Sequence, residues 1–245
     1  MKKFIMIMIS KKFAYVSISI VFLLIITLKF THTYKPSKVI TVKQELGAIV
    51  IDPGHGGVDG GTEREGILEK EINLDIGIKL KAMVEQDGYN VIMTREDDVS
   101  LDKRNNSSSS RHQRDLNERV AIINNSNAKL FISIHVNSNP KKPSTNGSMV
   151  FYSKKSEQNK VLAYCVQKAL NNVEVDGKKR TIHDPVQNVY FILNNSKIPG
   201  ILVETAFISN TEERQALVED EFREEIAKAI LLGIENYVKS SQNGF

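Results

Sequence analysis

The chain has 245 residues and a formal net charge of +4 at pH 7. The basic excess lies in residues 1–46, where eight lysines accompany one glutamate, whereas the remainder carries 25 basic and 28 acidic side chains, a net charge of −3. Nucleic-acid binding requires a basic surface on the folded domain itself, so we expect no nucleic-acid partner. The single cysteine, Cys165, excludes an internal disulfide, and its apolar helical surroundings indicate a packing role.

Residues 1–30 are predicted to form a signal or anchor helix, with two lysine pairs followed by an uncharged apolar run over residues 13–28. A spanning helix needs about 17 to 25 residues, and the apolar core of a cleaved signal has about 7 to 15. Both interpretations predict export to the outside of the membrane. Because no small-x-small cleavage site follows, we expect an uncleaved membrane anchor with the lysine pairs inside.

Residues 31–46 are polar and basic and contain Pro36, a composition typical of a short tether. Residues 47–240 are predicted to form one catalytic domain, in which short β-branched runs alternate with longer periodic segments. The predicted strands cover residues 48–52, 89–94, 130–136, 148–152 and 200–205. The predicted helices lie near residues 69–86, 113–126, 156–173 and 220–239. The Ser-rich segment 105–113 is interpreted as a solvated loop that includes His112.

The predicted strands are apolar runs with little alternation, as expected for strands buried on both faces. This pattern predicts a single α/β domain with a mostly parallel sheet between helices on both faces. In such folds, ligands bind beyond the carboxyl ends of the strands.

Four candidate site residues lie at such strand ends or at a helix start. His55 follows the first strand, Glu69 begins the first helix of the domain, His135 ends the third strand, and Glu204 lies near the end of the fifth. Two imidazoles and one carboxylate form a three-ligand zinc site with an open fourth position, and a second carboxylate can transfer protons. The pattern therefore indicates a metallohydrolase.

Taken singly, three of these residues have simpler explanations. The glycine-rich turn around His55 could hold phosphate, but no GxGxxG motif and no following Lys-Ser/Thr pair is present. A lone strand-end histidine such as His135 is more often structural. The helix dipole explains Glu69 or Glu71 in a first turn. Glu204 differs, because a carboxylate that ends a buried strand is costly unless it is paired or near a metal.

Four motifs occur in order: DPGHGG, an EK pair 14 residues after its histidine, SIHVN, and PGILVETAFISN. Together they resemble the zinc-dependent N-acetylmuramoyl-L-alanine amidases of bacterial cell walls over about residues 48–238. The resemblance implies Zn²⁺ held by His55, Glu69 and His135, with Glu204 as the catalytic carboxylate. It also implies a twisted, mostly parallel sheet of about six strands and peptidoglycan as the substrate. Candidates for orienting ligands or contacting substrate are Asp52, Asn73, Arg95 and Asn137.

Two departures from the family pattern touch no proposed ligand: Ala206 stands where glycine is common, and the Ser-rich segment is long. Arg95 and Arg119 match positions that the family usually keeps, and ion pairing near helix ends explains them equally well. The layout of a leader and one domain resembles the amidases that act on spore cortex. Two alternatives stay open, another cell-wall zinc peptidase and an anchored, non-catalytic wall-binding protein. The need for an accessory activator is also open.

Overall fold

A computed structural model of the chain describes residues 20, 21, 23, 24 and 47–242. The chain divides into two compact units, Met1–Lys43 and Gln44–Phe245. The predicted leader and tether lie almost wholly outside the described residues, of which the four before residue 47 are helical. Among the described residues, none of the helices combines the length and the apolar character needed to cross a membrane.

The second unit is built around a six-stranded sheet with the strand order β4-β1-β5-β10-β6-β9. All neighbouring pairs are parallel except β10 with β6. The strands of this sheet are β1 Ala48–Pro53, β4 Asn90–Met93, β5 Leu130–Asn137, β6 Met149–Tyr152, β9 Val186–Gln187 and β10 Gly200–Phe207. Two short hairpins pair β2 Glu63–Arg64 with β3 Ile67–Leu68, and β7 Glu174–Val175 with β8 Lys178–Lys179.

The described residues of the second unit also form six α-helices. They are α1 Glu69–Gln86, α2 Arg111–Asn125, α3 Glu157–Leu170, α4 Phe191–Asn195, α5 Thr211–Val218 and α6 Asp220–Gln242. A 3₁₀ turn covers Asp102–Arg104. The predicted α/β domain with a mostly parallel sheet of six strands is confirmed.

The sheet carries an apolar core on each face. Ile49 and Ile51 of β1 join the larger cluster, which packs under α1, α3 and α6. Val50, which lies between them, joins the smaller cluster under α2 and α4. This division follows from strand geometry, because successive side chains point to opposite faces.

Several short elements were absent from the sequence prediction. Helix α5 is capped by Asn210, whose side-chain oxygen accepts a hydrogen bond from Glu213 N at 3.1 Å. Helix α4 and strand β9 have five and two residues, too few for a clear period. Helix α2 begins at Arg111, with Ser110 as its N-cap, so the prediction of a loop through residue 113 is wrong. His112 is an exposed residue in the first turn of this helix.

Three parallel strands bring the predicted site residues to one edge of the sheet. Strands β1, β5 and β10 are neighbours, and Glu204 pairs in register with His135. The Gly54 N–H donates to Ile134 O at 2.9 Å, which fixes the exit of the chain from β1. His55 therefore leaves the sheet beside the strand that carries His135.

Candidate metal centre and active site

His55, Glu69 and His135 form one cluster of potential metal ligands. Glu69 Oε1 lies 2.9 Å from His135 Nδ1 and 3.3 Å from His55 Nε2. One donor atom from each of the three residues lies within 4.8 Å of the other two. The two imidazole rings meet edge to face, with centroids 5.0 Å apart. Residues separated by up to 80 positions in the sequence thus converge on one point.

The Glu69 carboxylate is held by the backbone around it. Its Oε1 accepts a hydrogen bond from Val136 N at 3.1 Å, and its Oε2 accepts one from Thr62 N at 2.7 Å. The first bond ties the start of α1 to strand β5, and the second ties it to the preceding loop. The carboxylate is therefore fixed before any ion binds.

Two glycines leave the space that these ligands occupy. A Cβ on Gly54 would lie 2.2 Å from Cε1 of His135, and a Cβ on Gly61 would lie 2.5 Å from Oε2 of Glu69. Gly61 also has a positive φ of 71°, which other residues rarely adopt. The absence of a Cβ at these two glycines therefore lets the side chains of His135 and Glu69 lie close to the backbone of the loop.

The charges in the cluster favour a cation between the three side chains. Burial would lower the pKa of His55, but the hydrogen bonds and charges of Glu69 and Asp59 raise it to about 9. Burial would raise the pKa of Glu69, but His135 and His55 hold it far below its ordinary value. An ionised carboxylate facing two imidazole nitrogens is the donor chemistry that zinc prefers.

Glu204 lies beside this cluster but is bonded differently. The residue is partly exposed, while its Oε2 is buried and has no hydrogen-bond partner among the described residues. Burial raises the pKa of Glu204 to about 7, with a further increase from Glu69 that His135 and His55 offset. A buried carboxylate oxygen without a partner is costly, and such groups concentrate at functional sites.

A cavity of about 390 Å³ brings Glu204 together with His55 and His135. Part of the cavity lining is an apolar wall from α2, β10 and the start of α4; its residues are Leu116, Tyr190, Phe191, Ile192 and Leu202. The Tyr190 ring packs edge to face on Phe151, with centroids 5.3 Å apart. The cavity thus combines an apolar wall with titratable groups, as ligand sites commonly do.

Asn73 and Asp52 were predicted to orient ligands, and the structure gives them different contacts. Asn73 Nδ2 lies 3.3 Å from Glu69 Oε1 and 3.3 Å from Gly54 O, so it contacts a proposed ligand directly. Asp52 instead accepts hydrogen bonds from residues away from the cluster: Thr94, Ser133 and Arg119. Burial would raise the pKa of Asp52, but the charge of Arg119 and these hydrogen bonds lower it.

Two buried arginines hold the turn that carries His55. Arg119, paired with Asp52 at 2.7 Å, donates to Pro53 O at 2.8 Å and to His55 O at 2.6 Å. Arg95 donates to Pro53 O and Gly54 O at 2.9 and 3.0 Å, and to Lys70 O at 2.7 Å. Asp52 is therefore connected to the backbone of His55 by the hydrogen bonds of Arg119. The hydrogen bonds of Arg95 connect the same turn to helix α1.

Asn137, the remaining predicted candidate, ends strand β5. Its Oδ1 accepts a hydrogen bond from Ser138 N at 2.8 Å, and its Nδ2 lies 3.9 Å from Met149 Sδ. These contacts support the strand end and do not reach the metal ligands.

Three site residues were not singled out from the sequence. Asp59 lies 3.1 Å from His55, and Tyr190 and His112 line the cavity. An acid four residues after a candidate histidine ligand is a signal that sequence inspection could have used. Tyr190 follows an irregular segment, where no periodicity indicates which side chains face a site.

The fold and this donor set define a class of protein. Two histidines and a carboxylate at the carboxyl edge of a parallel sheet, with a further carboxylate beside them, are characteristic of a hydrolase that uses a metal ion. The sequence model of the N-acetylmuramoyl-L-alanine amidase family matches residues 49–236. The chain belongs to this family, which confirms the enzyme class predicted from the four motifs.

Individual relatives agree with this assignment. The chain is 36% identical over 191 residues to the germination-specific N-acetylmuramoyl-L-alanine amidase of Bacillus subtilis (strain 168), covering 77% of this chain and 78% of that protein. The structure of the CwlD amidase from Clostridioides difficile in complex with the GerS lipoprotein matches with a TM-score of 0.72 and 36% identity, over 79% of this chain and 99% of that one. An N-acetylmuramoyl-L-alanine amidase from Clostridium difficile 630 matches with a TM-score of 0.68 and 29% identity, over 79% and 97%.

Proposed function

We propose that residues 47–240 form a zinc-dependent catalytic domain that hydrolyses the amide bond between N-acetylmuramic acid and L-alanine in peptidoglycan. The observation that carries the proposal is the convergence of His55, Glu69 and His135 on one point. Glu204 lines the same cavity as the two histidines. Membership of the amidase family supports the choice of this bond.

In this proposal, His55, Glu69 and His135 hold Zn²⁺. Bound zinc supplies an activated water and polarises the amide carbonyl. The residues fit the ion because Glu69 is fixed by Val136 N and Thr62 N and needs no rearrangement to face both imidazoles. A site fixed in advance pays less ordering entropy when the ion binds.

Glu204 is the proposed proton carrier. It accepts a proton from the attacking water and delivers it to the alanine nitrogen as the carbon–nitrogen bond breaks. A free Oε2 and a pKa near 7 support this role, since efficient proton transfer needs a group that is close to half ionised at the working pH. The charge of a bound cation would favour the carboxylate and lower this pKa.

The proposed setting is spore cortex, outside the membrane. The similarity to a germination-specific amidase supports cortex peptidoglycan as the substrate. In this proposal, peptide removal by the chain would precede formation of muramic δ-lactam. The apolar leader over residues 1–30 supports export, with the anchor interpretation giving membrane attachment. The lipoprotein bound to the Clostridioides difficile amidase supports a search for an accessory partner.

The test is mass spectrometry of purified peptidoglycan after incubation with the full-length chain, with and without chelator. New free L-alanine amino termini that appear only in the presence of metal are expected. Cleavage within the stem peptide would instead favour a zinc peptidase, and binding without cleavage would favour a wall-binding protein. Cleavage that persists after complete metal removal would contradict the role of zinc.

The cortex proposal has a separate test. Deleting the gene in its source organism should remove muramic δ-lactam from spores and leave the peptidoglycan of growing cells unchanged. Spores that keep their normal δ-lactam content would overturn the cortex role without affecting the proposed reaction. Full activity of the purified chain alone would show that no accessory protein is needed.

A further inference from the structure

Asp59 faces the ring nitrogen of His55 that points away from the other ligands. Its Oδ2 lies 3.1 Å from His55 Nδ1, whereas His55 Nε2 lies 3.3 Å from Glu69 Oε1. Each nitrogen of this imidazole therefore has a carboxylate of its own. In a neutral imidazole, one nitrogen carries the proton and the other has the lone pair that a metal requires.

The turn holds Asp59 in place independently of His55. Backbone hydrogen bonds join Gly56 and Asp59 in both directions, at 2.9 and 3.1 Å. The Gly61 N–H donates to Asp59 Oδ1 at 3.2 Å, which leaves Oδ2 for the imidazole. His55 itself has a positive φ of 61°, and the 3.1 Å contact shows that the turn brings its ring to Asp59.

Both carboxylate oxygens of Asp59 are placed to accept hydrogen bonds. Oδ1 accepts the Gly61 N–H at 3.2 Å, and Oδ2 lies 3.1 Å from His55 Nδ1. A carboxylate that accepts at both oxygens leaves the proton of the second contact on His55 Nδ1.

We propose that Asp59 is a positioning residue of the metal centre, accepting the Nδ1–H of His55 and so presenting the Nε2 lone pair to the ion. This inference rests on the proposed function, because it requires His55 to be a zinc ligand. Carboxylates that bind the second nitrogen of a ligating histidine fix the tautomer, orient the ring and raise the basicity of the ligand.

Asp98 provides a matched control in the adjoining loop. Its Oδ1 accepts a hydrogen bond from Gly57 N at 2.7 Å, and its Oδ2 lies 2.6 Å from Lys70 Nζ. Asp98 thus supports the same glycine-rich turn and carries the same charge, but its hydrogen bonds go to Gly57 and Lys70. A general loosening of the turn would affect variants of both aspartates.

The test measures zinc affinity of the full-length chain by competition with a chelator. Asp59→Ala should lower the affinity about 10- to 100-fold, the range found for such partners of metal ligands. Asp59→Asn should lose less, because its amide oxygen can still accept the Nδ1–H. Asp98→Ala should bind zinc nearly as well as the wild type. Equal losses for Asp59→Ala and Asp98→Ala, or no loss for Asp59→Ala, would overturn the proposal.

A spectroscopic measurement separates positioning from general support. With ¹⁵N-labelled histidine, the zinc-loaded wild type should show a slowly exchanging proton on His55 Nδ1, which Asp59→Ala should lose and Asp98→Ala should keep. If Asp59→Ala does not fold, faster exchange in Asp59→Asn supports the proposal and an unchanged spectrum overturns it. A wild-type chain that binds no zinc would overturn the proposed function, whereas zinc binding that ignores Asp59 would overturn only this inference.

Discussion

Glu69 and Glu204 are two carboxylates at the same edge of the sheet, yet their surroundings shift their pKa values in opposite directions. Burial would raise the pKa of Glu69, but the hydrogen bonds and charges of His135 and His55 hold it below its ordinary value. Glu204 Oε2 has no hydrogen-bond partner among the residues that the structure describes, and burial raises the pKa of Glu204 to about 7. When two neighbouring carboxylates have pKa values shifted in opposite directions, one can stay charged as a metal ligand while the other exchanges protons.

The largest effect is expected from removing the charge of Glu69. Glu69→Gln should abolish zinc binding and lower kcat/KM by at least about 10⁴-fold, ~5 kcal/mol of barrier, because both the activated water and the polarised carbonyl are lost. Metal analysis and kinetics on the same sample check this result. Wild-type zinc content in this variant would contradict the assignment of Glu69 as a ligand.

The Glu-to-Gln substitution at Glu204 should change kcat but not zinc content. Glu204→Gln should keep zinc and lower kcat about 10²- to 10⁴-fold, since only proton transfer is lost. Glu157→Gln, an exposed position in the first turn of α3, is the control and should retain wild-type values for both. Unchanged turnover in Glu204→Gln would remove its proposed role.

The raised pKa of Glu204 can be tested by the pH dependence of stability of the metal-free protein. The pKa of Glu204 is about 7 in the folded state against an ordinary value of 4.5, so its contribution to stability is complete below pH 4.5 and is lost as pH rises through 7. With chelator present, wild-type stability should fall relative to Glu204→Gln between pH 5 and 8, by up to about 3 kcal/mol. Denaturant unfolding of both proteins at pH 5 and pH 8 measures this difference. An equal change in the free energy of unfolding for the wild type and Glu204→Gln would contradict the prediction.

The fold was largely predictable because its central strands are continuous apolar runs. Strands β1, β5 and β10 lie within two residues of their predicted bounds, and α1 matches its prediction at both ends. Elements without such a pattern, such as α4 and β9, were missed. Their positions depend on tertiary contacts, for example the packing of Ile192 and Leu193 into the smaller core cluster.

The proximity of the candidate site residues could be predicted from the sequence, whereas their hydrogen-bond partners could not. The convergence of His55 and His135 follows from the shared edge of parallel strands, and Glu69 joins them from the first turn of α1. By contrast, the sequence does not reveal that Asp52 contacts Arg119 or that Arg119 holds His55 O, because 64 positions separate that arginine from the histidine. Contacts between side chains so far apart in the sequence depend on the complete tertiary structure.

A substitution at Gly54 tests whether the His135 ring must lie close to the backbone of the loop. We expect an intermediate effect on zinc affinity. In Gly54→Ala the new Cβ would meet the His135 ring at 2.2 Å, so the ring must move. Displacement of a ligand should lower zinc affinity about 10-fold or more, comparable to the loss of a supporting contact. Gly60→Ala is the control, because its Cβ would lie 3.4 Å from Leu68 Cδ2, an ordinary contact. Equal zinc affinity in both variants would contradict this account.

The smallest expected effect concerns the apolar wall of the cavity. Tyr190→Ala should raise KM a few-fold, about 1 kcal/mol of binding, because the ring lines the cavity and packs on Phe151. Zinc content should not change, since Val136 N and Thr62 N hold Glu69 and Arg119 holds the turn at His55. Tyr164→Ala, on a surface of α3 with similar exposure, is the control for removing a half-exposed tyrosine. A fall in zinc content with Tyr190→Ala would show that the wall supports the ligands, whereas an unchanged KM would place the bound substrate away from α4.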